Sequence, residues 1–202
     1  NKPKEDQTPT EQPTQPVEVR ILAINDLHGN IEQPGSGLRV DGEKVPAGGL
    51  DVMATYINTL RQEEPNTAFV CAGDLIGASP LISALFHDEP TIEAMNKLQL
   101  DVLAVGNHEF DDGDTGLANF LDSLNSSACV TPTLAANVNP AEDSAIAEGY
   151  IEPYTIVERD GQKIGIIGID IAGKTKNSSS PDDGTTFSDE TTTAQQYIDE
   201  LS

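Results

Sequence analysis

Three short stretches of this sequence close an apolar run with residues able to hold a metal ion or move a proton. They are Asn25-Asp26-Leu27-His28, Gly73-Asp74 and Gly106-Asn107-His108-Glu109-Phe110-Asp111. Carboxylate oxygen, imidazole nitrogen and amide carbonyl suit Zn, Mn, Fe or Mg better than a thiolate-seeking metal. Asp26 and His28 are separated by one residue, so both face one side if the strand continues. Asp74 has two oxygens with which to bridge two ions. A two-ion site clamps the attacking and leaving oxygens of a displacement at phosphorus. The ligand types alone therefore point to metal-assisted hydrolysis of a phosphate ester. His108 is the natural general acid beside such a clamp, and a carboxylate three residues on, Asp111, can fix its tautomer. An isolated Asp-x-His or Gly-Asp has common structural uses in turns and caps. The three together, in this order, carry the reading.

The elements that must position these residues are strands. The runs 19–24, 67–72 and 101–105 are short and apolar, as buried strands are. Each delivers its polar residues just beyond its carboxyl end, where open α/β sheets place ligands. Between them, residues 33–46 read as a loop in which Asp41-Gly42 closes a small hairpin. Gly48-Gly49 opens a helix with Leu50, Met53, Ala54, Ile57 and Leu60 on one face. A short helix over 81–86 follows, then one with Pro90 in its first turn and Ile92, Met95 and Leu98 inward. Leu117, Phe120, Leu121 and Leu124 mark another helix, and 134–138 a fourth strand. Runs 154–159 and 163–169, joined by Asp160-Gly161, read as a β-hairpin. A polar loop over 174–189 and a helix over 191–201, with Ala194, Tyr197, Ile198 and Leu201 inward, complete the chain. Alternating strands and helices specify an α/β class with late antiparallel pairing.

The 202 residues are 37% hydrophobic and carry a formal net charge of −23. That charge repels phosphate backbones and excludes a nucleic-acid polymer as partner. It does not exclude a small phosphate substrate, because bound cations reverse the local field. No stretch is long enough for a transmembrane helix. Residues 1–16 are Pro, Thr, Gln and Glu without periodicity and read as a disordered tether. With the acidic surface, the tether suggests a periplasmic, extracellular or cell-surface protein. Residues 17–202 carry the domain. Cys71 and Cys129 lack a CxxC neighbour and read as buried free thiols. His87 reads as an exposed or capping histidine. Asp112-Gly113-Asp114 lacks EF-hand spacing and reads as helix-start chemistry.

These motifs, with Gly77-Ala78-Ser79-Pro80, Glu89-Pro90-Thr91-Ile92-Glu93-Ala94-Met95-Asn96 and Ala136-Asn137-Val138, resemble the calcineurin-like metallophosphatases. The similarity is closest to the bacterial secreted 5′-nucleotidase / UDP-sugar hydrolase branch and runs from Val17 to the end. The resemblance implies an α/β/β/α sandwich, truncated here before its second sheet is complete. It implies two divalent ions: Asp26 and His28 on the first, Asp74 bridging, Asn107 on the second. It gives His108 the phosphoryl or leaving group and Asp111 the task of orienting it. It implies a nucleotide substrate and a hydroxide attacking phosphorus. UDP-sugar or NAD pyrophosphohydrolysis, 2′,3′-cyclic phosphodiesterase activity and a non-catalytic metal- or nucleotide-binding module are the alternatives. Relatives carry further histidine motifs downstream and a separate C-terminal nucleoside-binding domain, whereas this chain has no histidine after His108. The chain alone is therefore expected to supply about half of the site, to bind metal weakly and to hydrolyse little.

Overall fold

The computed structural model describes residues 16–202 apart from 36, 126–129, 148 and 183. The tether expected over 1–16 therefore falls almost wholly outside the described residues, as does Cys129. In chain order the elements are β1 (Arg20–Ile24), β2 (Leu38–Val40), β3 (Glu43–Val45), α1 (Leu50–Glu63), β4 (Thr67–Cys71), α2 (Leu81–Ala84), α3 (Glu89–Leu98) and β5 (Val102–Ala104). A 3₁₀ turn, Asn107–Phe110, leads into α4 (Gly113–Leu124). Then come β6 (Thr133–Leu134), β7 (Val138–Asn139), β8 (Tyr154–Arg159), β9 (Gln162–Ile167), α5 (Ala172–Ser178), β10 (Thr186–Phe187) and α6 (Glu190–Leu201).

The central sheet is parallel, in the order β1-β4-β5-β6. Parallel strands need crossovers, and α1, α3 and α4 supply them. Their apolar stripes cover one face: Ile57, Ile92, Met95, Leu117 and Leu121 pack with Phe69 and Leu103 in a single core. The other face meets the β8–β9 hairpin, where Val157 and Ile166 lie against Ala68, Val70, Val102 and Leu134. Leu201 of α6 rests on Gly165 of β9, on the outer side of that hairpin. The layers thus run helix, sheet, hairpin, helix. The hairpin's apolar contacts reach β4, β5 and β6 and leave Ile21 of β1 53% exposed.

Three expectations need correction. Residues 134–138 are not one strand. The chain leaves the sheet after Leu134, and Val138–Asn139 pairs antiparallel with β10 instead. The buried Asn137 side chain holds the break open: its Oδ1 accepts the Asp170 N–H (2.8 Å) and its Nδ2 donates to the Asp170 C=O (2.9 Å). Residues 174–189 are not all loop, since α5 and β10 lie within or across that span. Helix α5 has little apolar periodicity to betray it. It is held by Thr175, whose hydroxyl donates to Asp170 Oδ1 (2.5 Å). In α6, Ala194, Tyr197 and Leu201 are half-buried, but Ile198 is 47% exposed and Thr193 takes the buried position.

The hairpin at Asp41-Gly42 forms as read, with both residues at positive φ as a tight turn between strands requires. Cys71 is buried and free.

Candidate metal centre and active site

Each candidate ligand leaves the parallel sheet at the carboxyl end of a strand. Asp26 and His28 follow β1, Gly73-Asp74 follows β4, and Asn107 and His108 open the turn after β5. The first two exits are laced together by main chain. Asp26 N–H donates to Gly73 C=O (3.1 Å), His28 N–H to Asp74 C=O (3.0 Å) and Gly29 N–H to Leu75 C=O (3.1 Å). Asp26, His28 and Asp74 all hold left-handed backbone, with φ of 50°, 45° and 53°. Each such residue costs on the order of 1 kcal/mol or more and persists only where its surroundings over-determine it. Three expected ligands in that state mark a site that is built against local preference.

Glycine makes the close approach possible. A Cβ on Gly73 (φ 100°) would lie 2.8 Å from the Gly106 Cα, and one on Gly106 would lie 2.4 Å from Asp74 Oδ1. Bare backbone on both sides lets the β4 and β5 exits touch. Gly77 (φ 80°) does the same for the histidines, since a Cβ there would lie 2.7 Å from His108 Cβ and 2.8 Å from Asp111 Oδ2.

The outcome is a tight group. His28, Asp74 and His108 each offer a ligand atom within 4.8 Å of the other two. The two rings meet edge to face with centroids 4.8 Å apart. His28 Nδ1 lies 2.9 Å from the Gly77 C=O. A carbonyl only accepts, so Nδ1 carries the proton and Nε2 keeps its lone pair. Asp26 Oδ1 stands 3.7 Å from that Nε2, on the exposed rim. His108 repeats the arrangement: Nδ1 lies 2.8 Å from Asp111 Oδ2, and its main-chain N–H donates to Asp74 Oδ1 (2.9 Å). The hydrogen bond to Asp111 raises the His108 pKa above its ordinary value, against a smaller opposing effect of burial. Asn107 is 5% exposed, and its Nδ2 has no acceptor.

Nitrogen and oxygen donors, with a negative charge uncompensated by any cationic side chain, fit a divalent ion. None of the ion pairs among the described residues joins Asp26, Asp74, Glu109 or Asp111 to a Lys or Arg.

Sequence reasoning missed the residue that ties the site together. Glu109 is buried, and its carboxylate accepts main-chain N–H groups from Gly106 (2.7 Å), Asp74 (3.0 Å), Leu75 (2.7 Å) and Ile76 (3.4 Å). It fastens the loop bearing Asp74 to the loop bearing Asn107 and His108. Burial pushes its pKa up to about 7, against the lowering effect of those N–H groups. Its signal was the spacing from Gly106, the reach of a capping-box glutamate to the N–H at the turn's start.

The remaining candidates lie elsewhere. His87 is exposed, as expected. Asp112 does stand at the start of α4, though its side chain makes no capping bond. Asp114 is fully buried and accepts hydroxyls from Ser144 and from Thr185 (2.6 Å), with the Asp182 N–H at 3.1 Å. It pins distant segments to α4.

Against known proteins, residues 19–193 match the calcineurin-like phosphoesterase family. A probable 5′-nucleotidase of Treponema pallidum is 41% identical over 176 residues, which is 86% of this chain and 28% of that protein. The NAD 5′-nucleotidase of Haemophilus influenzae is 38% identical over 181 residues, covering 89% of this chain and 29% of the relative. The solved Haemophilus influenzae NAD nucleotidase superimposes with a TM-score of 0.80 at 37% identity, over 92% of this chain and 32% of that one. A 5′-nucleotidase precursor from Thermus thermophilus gives 0.75 at 28% identity, over 91% and 34% respectively. The chain thus spans about a third of the length of these relatives.

Proposed function

The chain belongs to the calcineurin-like phosphoesterases, and from that premise we propose that it carries the first half of the active site of an exported, metal-dependent nucleotide phosphohydrolase. The observation that carries this is the group formed by His28, Asp74 and His108, with both imidazole Nδ1 atoms already committed to Gly77 and Asp111. Asp26 and His28 would hold a first divalent ion, Asp74 would serve both ions, and Asn107 would hold the second. Ions there supply charge to polarise a phosphoryl group and to activate water.

The chain's own residues do the rest. Gly77 C=O and Asp111 fix the two rings, so each Nε2 has one direction to point. His108, whose pKa is raised by its hydrogen bond to Asp111, is the group placed to donate a proton from Nε2 to the departing nucleoside oxygen. Glu109 keeps the two loops in register while this happens.

A nucleotide ester is the proposed substrate. Identity to the NAD 5′-nucleotidase of Haemophilus influenzae over most of the chain keeps a dinucleotide pyrophosphate as the second reading. An exported location is supported by the acidic charge and by similarity to a cell wall protein of Listeria monocytogenes. No helix among the described residues is long and apolar enough to cross a membrane.

The test is chromatographic product analysis of the full-length protein on AMP, NAD and UDP-glucose, with Mn²⁺ or Zn²⁺ and with a chelator. Ester hydrolysis of AMP gives adenosine and phosphate, whereas pyrophosphate cleavage of the other two gives pairs of phosphomonoesters. Turnover that the chelator abolishes is expected, and the preferred substrate separates the two readings. Metal-independent turnover, or none with any phosphate ester, would overturn the proposal.

A further inference from the structure

Six buried side-chain polar atoms among the described residues lack a hydrogen-bond partner, and three of them belong to segments that meet. Asn107 Nδ2 is on the 3₁₀ turn, Asp170 Oδ2 lies just before α5, and Ser179 Oγ lies just after it. Helix α5 packs on that turn, and the Ser180 N–H closes the contact by donating to the Phe110 C=O (3.0 Å).

Asp170 is 1% exposed, and every other polar group it owns is engaged. Its N–H and C=O are taken by the Asn137 amide (2.8 and 2.9 Å), and its Oδ1 by the Thr175 hydroxyl (2.5 Å). Only Oδ2 is left over. The carboxylate also lies near enough to Asp74 for that charge to act on it, adding to burial in pushing its pKa up to about 6.

A buried carboxylate with one unused oxygen is a liability for stability alone. An ionised Oδ2 can only accept, and Asn107 Nδ2 can only donate. An asparagine whose Nδ2 is held must turn its Oδ1 the opposite way. Outer partners of this kind orient the ligands of metal sites.

We infer that Asp170 is a positioning residue for Asn107: through one bridging water its Oδ2 takes an Nδ2–H of Asn107, and so presents Asn107 Oδ1 to a divalent ion. The inference rests on the metallophosphoesterase reading above and adds to it a residue outside the motifs that define the site.

The test uses the full-length protein and three versions of the pair: wild type, Asp170→Asn, and Asp170→Asn with Asn107→Asp. Affinity and stoichiometry for Mn²⁺ alone are read by calorimetry, and the melting midpoint is read on the metal-free protein. Asparagine at 170 can still accept from Thr175, but then aims its own N–H₂ at Asn107. One of the ions should bind roughly 10–100-fold more weakly, while the metal-free midpoint holds or rises. The second substitution should recover part of that loss, because an aspartate at 107 accepts from the new amide.

Wild-type affinity in Asp170→Asn would overturn the inference. So would a fall in the metal-free midpoint without recovery by the second change, which is the signature of a merely structural residue. If wild type takes up no Mn²⁺ and hydrolyses nothing, the metallophosphoesterase reading fails first and this inference falls with it.

Discussion

Two carboxylates sit at opposite edges of the parallel sheet, Asp101 receiving one main-chain N–H and Glu109 four, and they are compensated in opposite ways. At the amino edge, Asp101 accepts the Phe69 N–H (2.8 Å) and lies between two guanidinium groups, Arg159 at 2.6 Å and Arg61 at 3.6 Å. Arg61 also donates to the Leu98 C=O (2.5 Å) and Gln99 C=O (2.7 Å), and Arg159 to the Thr67 C=O (3.0 Å). The clasp joins α1, the end of α3, β4, the start of β5 and β8. At the carboxyl edge, Glu109 has dipoles and no cation, with Asp74 adding to its raised pKa. One edge is neutralised by the chain itself and serves stability. The other is left short of positive charge and strained in its backbone, as expected of an edge completed by a ligand.

The sharpest way to break this contrast is to substitute each edge and ask what is lost. His108→Ala in the full-length protein should lower turnover roughly 10²–10⁴-fold, the usual contribution of a general acid, while barely moving the melting midpoint. A loss under tenfold would remove His108 from the chemistry. Asp101→Ala should do the reverse. It strands two arginines in a partly exposed clasp and should cost about 2–3 kcal/mol, less than a fully buried pair would, with turnover per folded molecule unchanged. A kinetic defect there would mean that the edges are coupled and the contrast is false. Glu109→Gln lies between them. An amide in place of the carboxylate turns a donor toward main-chain donors, so at least one N–H goes unpaired at about 1–3 kcal/mol. Metal affinity should fall with stability, measured by calorimetry and denaturant unfolding.

The pH dependence sharpens the carboxyl edge further. Asp170 has a folded-state pKa of about 6, above its ordinary 3.8. A carboxyl whose pKa is raised binds its proton more tightly in the folded state, so its contribution is full below about pH 4 and is lost as pH rises through 6. Asp170 should therefore contribute a loss on the order of 1–3 kcal/mol across that window in the metal-free protein. Glu109, raised to about 7, adds a loss of the same sign that persists in the Asp170→Asn variant, so the variant should lose less than wild type. Parallel stability curves for the two proteins between pH 4 and 6 would show that Asp170 does not titrate as described.

How much of this was legible beforehand follows from where the information sits. The strand exits were legible because a parallel strand buried on both faces writes itself as a solid apolar run, and a ligand after it breaks the run. Asp26, His28, Asp74, Asn107, His108 and Asp111 could therefore be picked out as the polar residues at or just beyond those exits; their roles are the reading proposed above. Glu109 showed only its three-residue spacing from Gly106; its other three partners are main-chain N–H groups of a loop more than thirty residues away, and backbone donors leave no trace in side-chain identity. The break after Leu134 was missed for a related reason. Residues 134–138 pass as a short apolar run although Ala135, Ala136 and Asn137 are poor strand formers, and the break is held by Asn137 gripping Asp170, a contact made only after folding. Helix α5, seven residues with little apolar periodicity, gave the pattern nothing to detect.

The smallest effect expected is an absence of reaction, and it probes the same edge from inside. Cys71 closes β4, is 2% exposed, and has its pKa pushed up to about 12, first by burial and then by the charges of Glu109, Asp74 and Asp26. Its S–H points to the Gly73 C=O at 3.7 Å. The thiolate is the reactive form, so at pH 8 a thiol of pKa about 12 is ionised in only about one molecule in ten thousand. In a Cys129→Ser background, an aromatic disulfide reagent should leave the native protein essentially unlabelled and modify it fully once denatured. Adding a divalent ion should change little, because burial rather than the carboxylates dominates the shift. Fast native labelling that the ion then suppresses would mean that the β4 exit opens when its negative charges lack a partner. The carboxyl edge would then be a mobile structure that the ion closes, and the preformed geometry around Glu109 would describe the bound state alone.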